Sequence, residues 1–304
     1  MNFKSTLSDG VFTANLTPLK SDLSVDHDAL ITHCKWLLSQ GGNGIALLGT
    51  TGEANSFTMG ERIEMIDKIV ECGIPGNKLL VGTGCCAYGD TIRLTKHAVE
   101  RGAGGILMLP PFYYKQVDDT GLAKYFDLVI NGVNDKRLKI YLYHFPKMSA
   151  VPFSTPFVKY LIREYPGTVV GMKDSSGDWN HTEEILREFP GFKVYAGTEK
   201  LLLRTLRKGG AGCISATANA TISMAAQLFQ NWHSDRADTL QDRLTKVRTA
   251  FDGYPFTSAL KQMFFKCSNN PIWLNVRPPN SLVDAEGIEI LADKLKALDF
   301  SIQL

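Results

Sequence analysis

Short apolar runs alternate with longer amphipathic stretches along most of this chain. The apolar runs are VFTANLTPL from Val11, GIALLG from Gly44, LLVGTG from Leu79, GILMLPP from Gly105, IYLYHFP from Ile140, VVGMKD from Val169, KVYAGT from Lys193 and GCISATAN from Gly212. They are short, β-branched in places and apolar at consecutive positions, as strands covered on both faces of a parallel sheet should be. Helical spacing fills the intervals. Asp26 can cap a segment carrying Leu30, Ile31, Cys34, Leu37 and Leu38, which Gly41 and Gly42 stop. Thr58 and Glu61 form a capping box ahead of Ile63, Ile66 and Ile69. Asp90 is expected to open a helix running to Arg101, and further helices are predicted over 118–133, 155–164, 180–189, 199–208 and 221–232.

Eight strand-then-helix units predict an α/β fold of the (β/α)8 TIM-barrel type. A doubly wound open sheet is the competing architecture, and the count of eight favours the barrel. Beyond residue 233 no strand pattern recurs, and three helical patterns follow at about 235–252, 256–267 and 284–298. No Ser/Gly-rich linker separates them. The expected organisation is therefore a barrel over 1–233 and a C-terminal helical extension over 234–304, packed on it.

The charge balance narrows the possible partners. Lys and Arg number 33 against 31 Asp and Glu, scattered without basic runs, so nucleic acid and membrane surfaces are not expected partners. No stretch has the form of a signal peptide or reaches the roughly 18 apolar residues of a membrane span. The six cysteines, at 34, 72, 85, 86, 213 and 267, show no CxxC spacing. In a chain of this size that predicts reduced, mostly buried thiols and a cytoplasmic protein. A nucleophilic role for Cys85 or Cys86 is the sharper alternative to small residues at a buried turn.

Barrels of this type carry their chemistry at the C-terminal ends of the strands. Those ends here read Thr17-Pro18, Gly49-Thr50-Thr51-Gly52-Glu53, Gly82-Thr83-Gly84, Pro110-Pro111-Phe112-Tyr113-Tyr114, Tyr143-His144-Phe145-Pro146, Lys173-Asp174, Gly197-Thr198 and Ser215 to Asn219. One amine, several hydroxyls and many glycines converge. His27, His33, His97, His181 and His233 fall on helix patterns and no HxH or Cys/His cluster occurs, so no metal site is expected. A lysine at a barrel rim can simply snorkel into solvent. Alternatively, desolvation disfavours an ammonium, and an amine held in a closed ring becomes available to attack a ketone and form a Schiff base. Tyr143, thirty residues before Lys173 on what should be the adjacent strand, tips the balance toward the second reading. The Gly-bounded turn GTTGE offers N–H and hydroxyl donors for a carboxylate.

Together GTTGE at 49–53, PPFYY at 110–114, YHFP at 143–146, GMKDSSGD at 171–178 and the AGTE and GCISATAN segments over 196–219 resemble the dihydrodipicolinate synthase/N-acetylneuraminate lyase family of pyruvate-dependent class I aldolases. The resemblance spans the chain. It implies a (β/α)8 barrel with a C-terminal helical extension, a homotetramer built as a dimer of dimers, pyruvate and an aldehyde as small-molecule substrates, and no cofactor beyond the lysine imine. Carried over by position, it makes Lys173 the Schiff-base lysine and Tyr143 the proton shuttle. Thr50 and Thr51 hold the pyruvyl carboxylate, with Thr51 also in a proton relay that Tyr113 of a neighbouring subunit completes. Gly197 and Ile214 line the pocket.

Two departures stand out. His144 replaces the asparagine usual after the strand-five tyrosine; its expected role is a hydrogen bond to loop backbone. Met148 stands where the synthase branch carries an arginine for its second carboxylate, and Lys147 is one residue off. On an extended segment adjacent residues point to opposite sides, so Lys147 is not expected to substitute. The preferred reading is an aldolase or lyase acting on a 2-keto-3-deoxy sugar acid or a related 4-hydroxy-2-oxo acid. Dihydrodipicolinate synthesis is the alternative within the family. A non-catalytic 2-oxo-acid binding protein and a phosphate-binding barrel enzyme are alternatives of other classes.

Overall fold

The computed structural model describes residues 3 and 5–302 of the chain. Eight strands, β1 Gly10–Ala14, β2 Gly44–Leu47, β3 Leu79–Gly82, β4 Gly105–Met108, β5 Ile140–His144, β6 Val169–Asp174, β7 Lys193–Ala196 and β8 Gly212–Ser215, pair in parallel in chain order and close on themselves. The helices between and after them are α1 His27–Ser39, α2 Met59–Glu71, α3 Tyr88–Glu100, α4 Asp119–Val133, the short α5 Pro146–Ser149, α6 Thr155–Glu164, α7 Trp179–Glu188, α8 Leu202–Arg207 and α9 Ala218–Gln230. This is the (β/α)8 barrel that the periodicity predicts. Three more helices follow, α10 Ala237–Ala250, α11 Phe256–Ser268 and α12 Ala285–Ala297.

Three apolar cores result. Phe12, Ala46, Leu80, Tyr141, Tyr195 and Ile214 are among the residues that fill the barrel lumen, so the interior is packed rather than open. A second, larger core lies between strands and surrounding helices, with Ile45, Leu142 and Met172 facing Ile66, Leu161 and Ile185. In the third, Phe251, Leu260, Phe264 and Trp273 of the C-terminal region pack with Leu16 and Ala220. That shared core holds the extension against the barrel. No helix among the described residues is long and apolar enough to cross a membrane.

Several element boundaries differ from the periodic reading, each for a local reason. β1 stops at Ala14 because the buried Asn219 side chain takes over: its Nδ2 donates to the Ala14 carbonyl at 2.8 Å and its Oδ1 accepts the Leu16 N–H at 3.1 Å. Asp90 is not a cap; α3 begins at Tyr88 and Asp90 lies inside its first turn, where a carboxylate still complements the helix dipole. The segment predicted as one helix from Glu199 opens as a single 3-10 turn before α8. Residues 146–149 form a helical turn rather than an extended strand tail, so the premise that Lys147 and Met148 point oppositely does not hold. Both side chains are exposed, Met148 at 59%. The Thr58–Glu61 capping box forms with both reciprocal bonds.

All six cysteines are unpaired, but only Cys34 and Cys213 are buried, while Cys86 and Cys267 are exposed. The expectation of mostly buried thiols fails because residues 85–86 sit in an open turn before α3, Cys72 caps the end of α2 and Cys267 lies on an exposed face near the end of α11. Burial raises the Cys85 thiol despite the nearby Arg62 guanidinium, which is the wrong direction for a nucleophile.

Candidate active site

The site forms where β5 and β6 end. These strands slip by one residue between Ile140 and Tyr141, leaving Val170 without a partner, and above the slip Tyr143 stands level with Lys173. Just above the slip the chain needs glycine at 171, where a Cβ would lie 2.5 Å from both the Tyr141 ring and the Lys193 carbonyl oxygen. Lys173 is 4% exposed, and its Nζ donates to the Tyr143 hydroxyl at 3.2 Å while lying 4.4 Å from the phenol ring centroid. The amine therefore does not snorkel. Thr50 Oγ1 stands 3.4 Å from the same phenol oxygen, tying the β2 turn to the pair.

That turn is shaped by its own backbone. Gly52 N–H donates to the Gly49 carbonyl at 3.1 Å, Glu53 N–H to the Thr50 carbonyl at 3.1 Å and Ala54 N–H to the Gly49 carbonyl at 3.3 Å. Among the described residues, no backbone bond uses the N–H of Thr50 or Thr51. The backbone bonds of the turn thus leave two adjacent N–H donors that an anion could use, next to the Thr50 hydroxyl that approaches Tyr143. Thr51 is buried, and its carbonyl accepts from Thr257 Oγ1 at 3.2 Å.

The other sequence-predicted residues fall in two places. Ile214 lies in the lumen cluster with Tyr143. Gly197 follows β7, and its N–H donates to the Asp174 carbonyl at 2.6 Å. A Cβ on Gly197 would come within 2.2 Å of Ser175 Oγ, so this approach requires glycine. Tyr113 does not join the amine within this chain: it is 73% exposed, edge-on to Tyr114, which is 75% exposed.

Three groups escaped the sequence reading. Arg62, buried on α2, donates to the Gly82 carbonyl at 3.0 Å and lines the same cavity as Thr50 and Tyr143. Glu53, at the end of the turn, pairs with Lys261 from α11 at 2.5 Å with both side chains fully buried. The third is a cluster on the outer face of β5 and β6, where His144 and His181 stack at 4.0 Å beside Asp174.

His144, Asp174 and His181 place their ligand atoms within 4.8 Å of one another, which by count alone could hold a cation. Their hydrogen bonds argue otherwise. His144 Nδ1 accepts the Phe153 N–H at 3.1 Å, the backbone role expected of it. His181 faces acceptors at both ring nitrogens, Asp174 Oδ2 at 2.8 Å and the Phe153 carbonyl at 3.2 Å. Two acceptors demand two donors, the pattern of an imidazolium.

Burial opposes that charge, but the hydrogen bond and charge of Asp174 outweigh it and raise His181 above its ordinary 6.5. The Asp174 carboxyl, pushed up by burial but pulled down more by His181, sits at about 2. His144 is driven down to about 4 by burial and by the charge of His181. His33, fully buried, is lowered to about 4 by burial against its Asn219 hydrogen bond. In imidazole nitrogen NMR, His181 should therefore remain doubly protonated as pH rises past 6.5, whereas His144 and His33 should stay neutral until about pH 4. A His181 resonance that titrates below 6.5 would contradict the doubly donating geometry.

The fold and the site together define a closed (β/α)8 barrel with a buried lysine and a phenol paired across the ends of adjacent strands. The chain matches the dihydrodipicolinate synthetase family over residues 7–298 and belongs to it. A DapA-like lyase of Chloroflexus aurantiacus is 33% identical over 86% of this chain and 88% of its own length. A 4-hydroxy-tetrahydrodipicolinate synthase of Methanococcoides burtonii is 29% identical over 95% and 98%. Among solved structures, dihydrodipicolinate synthase from Agrobacterium tumefaciens superposes with a TM-score of 0.89 at 32% identity, covering 96% of this chain and 99% of that one. The Escherichia coli prophage protein YagE, a member of the same family solved in complex with pyruvate, superposes with a TM-score of 0.86 at 26% identity over 96% and 99%. This chain is accordingly a carbon–carbon lyase of that family.

Proposed function

We propose that this enzyme is a class I aldolase in which Lys173 condenses with pyruvate and a C–C bond is then made to, or broken from, an aldehyde. The observation that carries the reading is the enclosed Lys173 Nζ with the Tyr143 phenol 3.2 Å away and Thr50 at 3.4 Å from that phenol. The pyruvate bound in YagE is consistent with this choice of keto acid.

In the proposed sequence the neutral amine attacks C2 of pyruvate while the two free N–H groups of Thr50 and Thr51 hold its carboxylate. Tyr143 relays the proton lost by the amine to the carbonyl oxygen, giving a carbinolamine, and, reprotonated through the relay, protonates the departing hydroxyl, which leaves as water. The resulting imine draws electrons from C3, so that transfer of a C3 proton to Tyr143 yields an enamine. The enamine adds to the aldehyde carbon as the aldehyde oxygen takes up a proton, and water then hydrolyses the imine to free product and Lys173. Cleavage is the reverse. Thr51, and Tyr113 of a neighbouring subunit, extend the relay to solvent, and Gly197 and Ile214 confine the pyruvyl group. The exposure of Tyr113 and Tyr114 suits burial in an assembly of copies, which we place as a homotetramer. No cofactor is needed in this scheme, and the unpaired thiols suit a cytoplasmic setting.

The aldehyde we favour belongs to a hydroxylated chain, so that the full substrate is a 2-keto-3-deoxy sugar acid or a related 4-hydroxy-2-oxo acid. Position 148 supports this choice, because an exposed methionine cannot give the fork of donors that a second carboxylate would need. The second reading, 4-hydroxy-tetrahydrodipicolinate synthesis, is favoured by the name of the Methanococcoides burtonii relative. Borohydride added with pyruvate should attach a reduced pyruvyl group to Lys173 and abolish activity; an unmodified Lys173 with activity intact would sink the scheme. Pyruvate release from a panel of 4-hydroxy-2-oxo acids, above a Lys173→Ala control, separates turnover from mere capture.

A further inference from the structure

The turn that presents Thr50 and Thr51 is not held by the barrel alone. Glu53, its last residue, adopts a left-handed backbone at φ 58°, ψ 28°, a conformation that disfavours a side chain with a Cβ. Such conformations persist where the surroundings over-determine them. Here the surroundings are C-terminal. Lys261 Nζ of α11 donates to Glu53 Oε1 at 2.5 Å and to the Asn275 carbonyl at 2.8 Å. The Arg277 N–H donates to Glu53 Oε2 at 2.8 Å, and Asn280 Nδ2 approaches the same oxygen at 3.4 Å. One residue pair along, Thr257 Oγ1 holds the Thr51 carbonyl at 3.2 Å. On the barrel side Thr17 Oγ1 holds the Gly52 carbonyl at 2.8 Å.

A fully buried ion pair is a poor device for stability, because removing two charges from water offsets most of their attraction. What such a pair does well is fix one geometry. We propose that Glu53 and Lys261, with Thr257, are positioning residues that set the shape of the carboxylate-holding turn, so that the C-terminal helices complete the substrate site without touching substrate. This deepens, and rests on, the assignment of Thr50 and Thr51 to the pyruvyl carboxylate.

Two variants and two readouts test it. Thr257→Val removes one hydroxyl at nearly constant volume, and Lys261→Met removes the cation at similar length. Both should raise the half-saturating pyruvate concentration for borohydride trapping at Lys173, by roughly 3-fold for Thr257→Val and 10-fold or more for Lys261→Met, with trapping at saturation retained. Independently of any ligand, native-state hydrogen exchange of the Gly52, Glu53 and Ala54 amides, bonded inside the turn, should accelerate about tenfold while β5 and β6 amides do not change. Unchanged turn exchange in Thr257→Val, whether or not pyruvate labels Lys173, overturns the positioning role. Unlabelled Lys173 in the unaltered enzyme instead overturns the pyruvate reading. If Lys261→Met unfolds, Thr257→Val still decides, and the double variant Glu53→Gln/Lys261→Met should fold yet keep the raised half-saturation.

Discussion

Lys173→Ala should keep its fold and lose turnover by at least about four orders of magnitude, as removal of a covalent nucleophile does in other enzymes. The expectation rests on the surroundings of the amine. It is enclosed, and its described hydrogen bond runs to a single phenol that is itself buried. A lysine in the usual structural role would lie in a surface ion pair, like Lys266 with Glu289 or Lys200 with Asp252 in this chain. Removing such a surface group changes little. In the proposed scheme, removing Lys173 deletes the atom that carries the intermediate. The measurement is pyruvate release or consumption with circular dichroism and thermal melting alongside; turnover within about tenfold of the parent, against the loss expected for a nucleophile, would show that the amine is not covalently engaged.

Tyr143→Phe should reduce turnover by roughly 10²- to 10⁴-fold, the range for losing a positioned acid–base group. The ring remains, so its stacking on Phe145 at 5.7 Å and its place in the lumen core are preserved. Only the oxygen between Lys173 Nζ and Thr50 Oγ1 disappears. The two variants therefore separate. Lys173→Ala forms no trapped adduct at any time, whereas Tyr143→Phe should still form one slowly under borohydride. A Tyr143→Phe enzyme that traps pyruvate at the parental rate would assign the proton transfers elsewhere.

Much of this site is legible along the chain because its parts lie at strand ends, where an apolar run gives way to small polar residues. Lys173 and Tyr143 pair by their spacing once β5 and β6 are read as neighbours, whereas the glycines around 49–53 are a weak signal by themselves, because Gly-rich strand-to-helix turns are common. Other parts are invisible to periodicity. Lys261 sits on a helix whose pattern identifies a buried face but not that its partner is Glu53, 208 positions earlier. His181 reads as one more polar residue near the start of α7, and only the barrel's curvature brings it onto His144 and Asp174. The helical turn at 146–149 was hidden by Pro146, whose position suggests the end of a strand as readily as the first residue of a helix. Tyr113 and Tyr114 are legible as aromatic residues, but their function in the proposed scheme depends on a surface that lies on another molecule.

Alternation along β5 and β6 has a practical consequence for anyone retargeting the enzyme. Tyr143 packs in the lumen core, while His144 stacks on His181 of α7 outside the barrel, and Lys173 and Asp174 divide in the same way. Each member of the proposed catalytic pair thus shares a peptide bond with a member of the external imidazole–carboxylate clasp. Libraries aimed at new aldehydes can vary the rim at 147 and 148 with little penalty, but diversifying 144, 174 or 181 would loosen the mount on which the chemistry turns. Those three codons are better left constant.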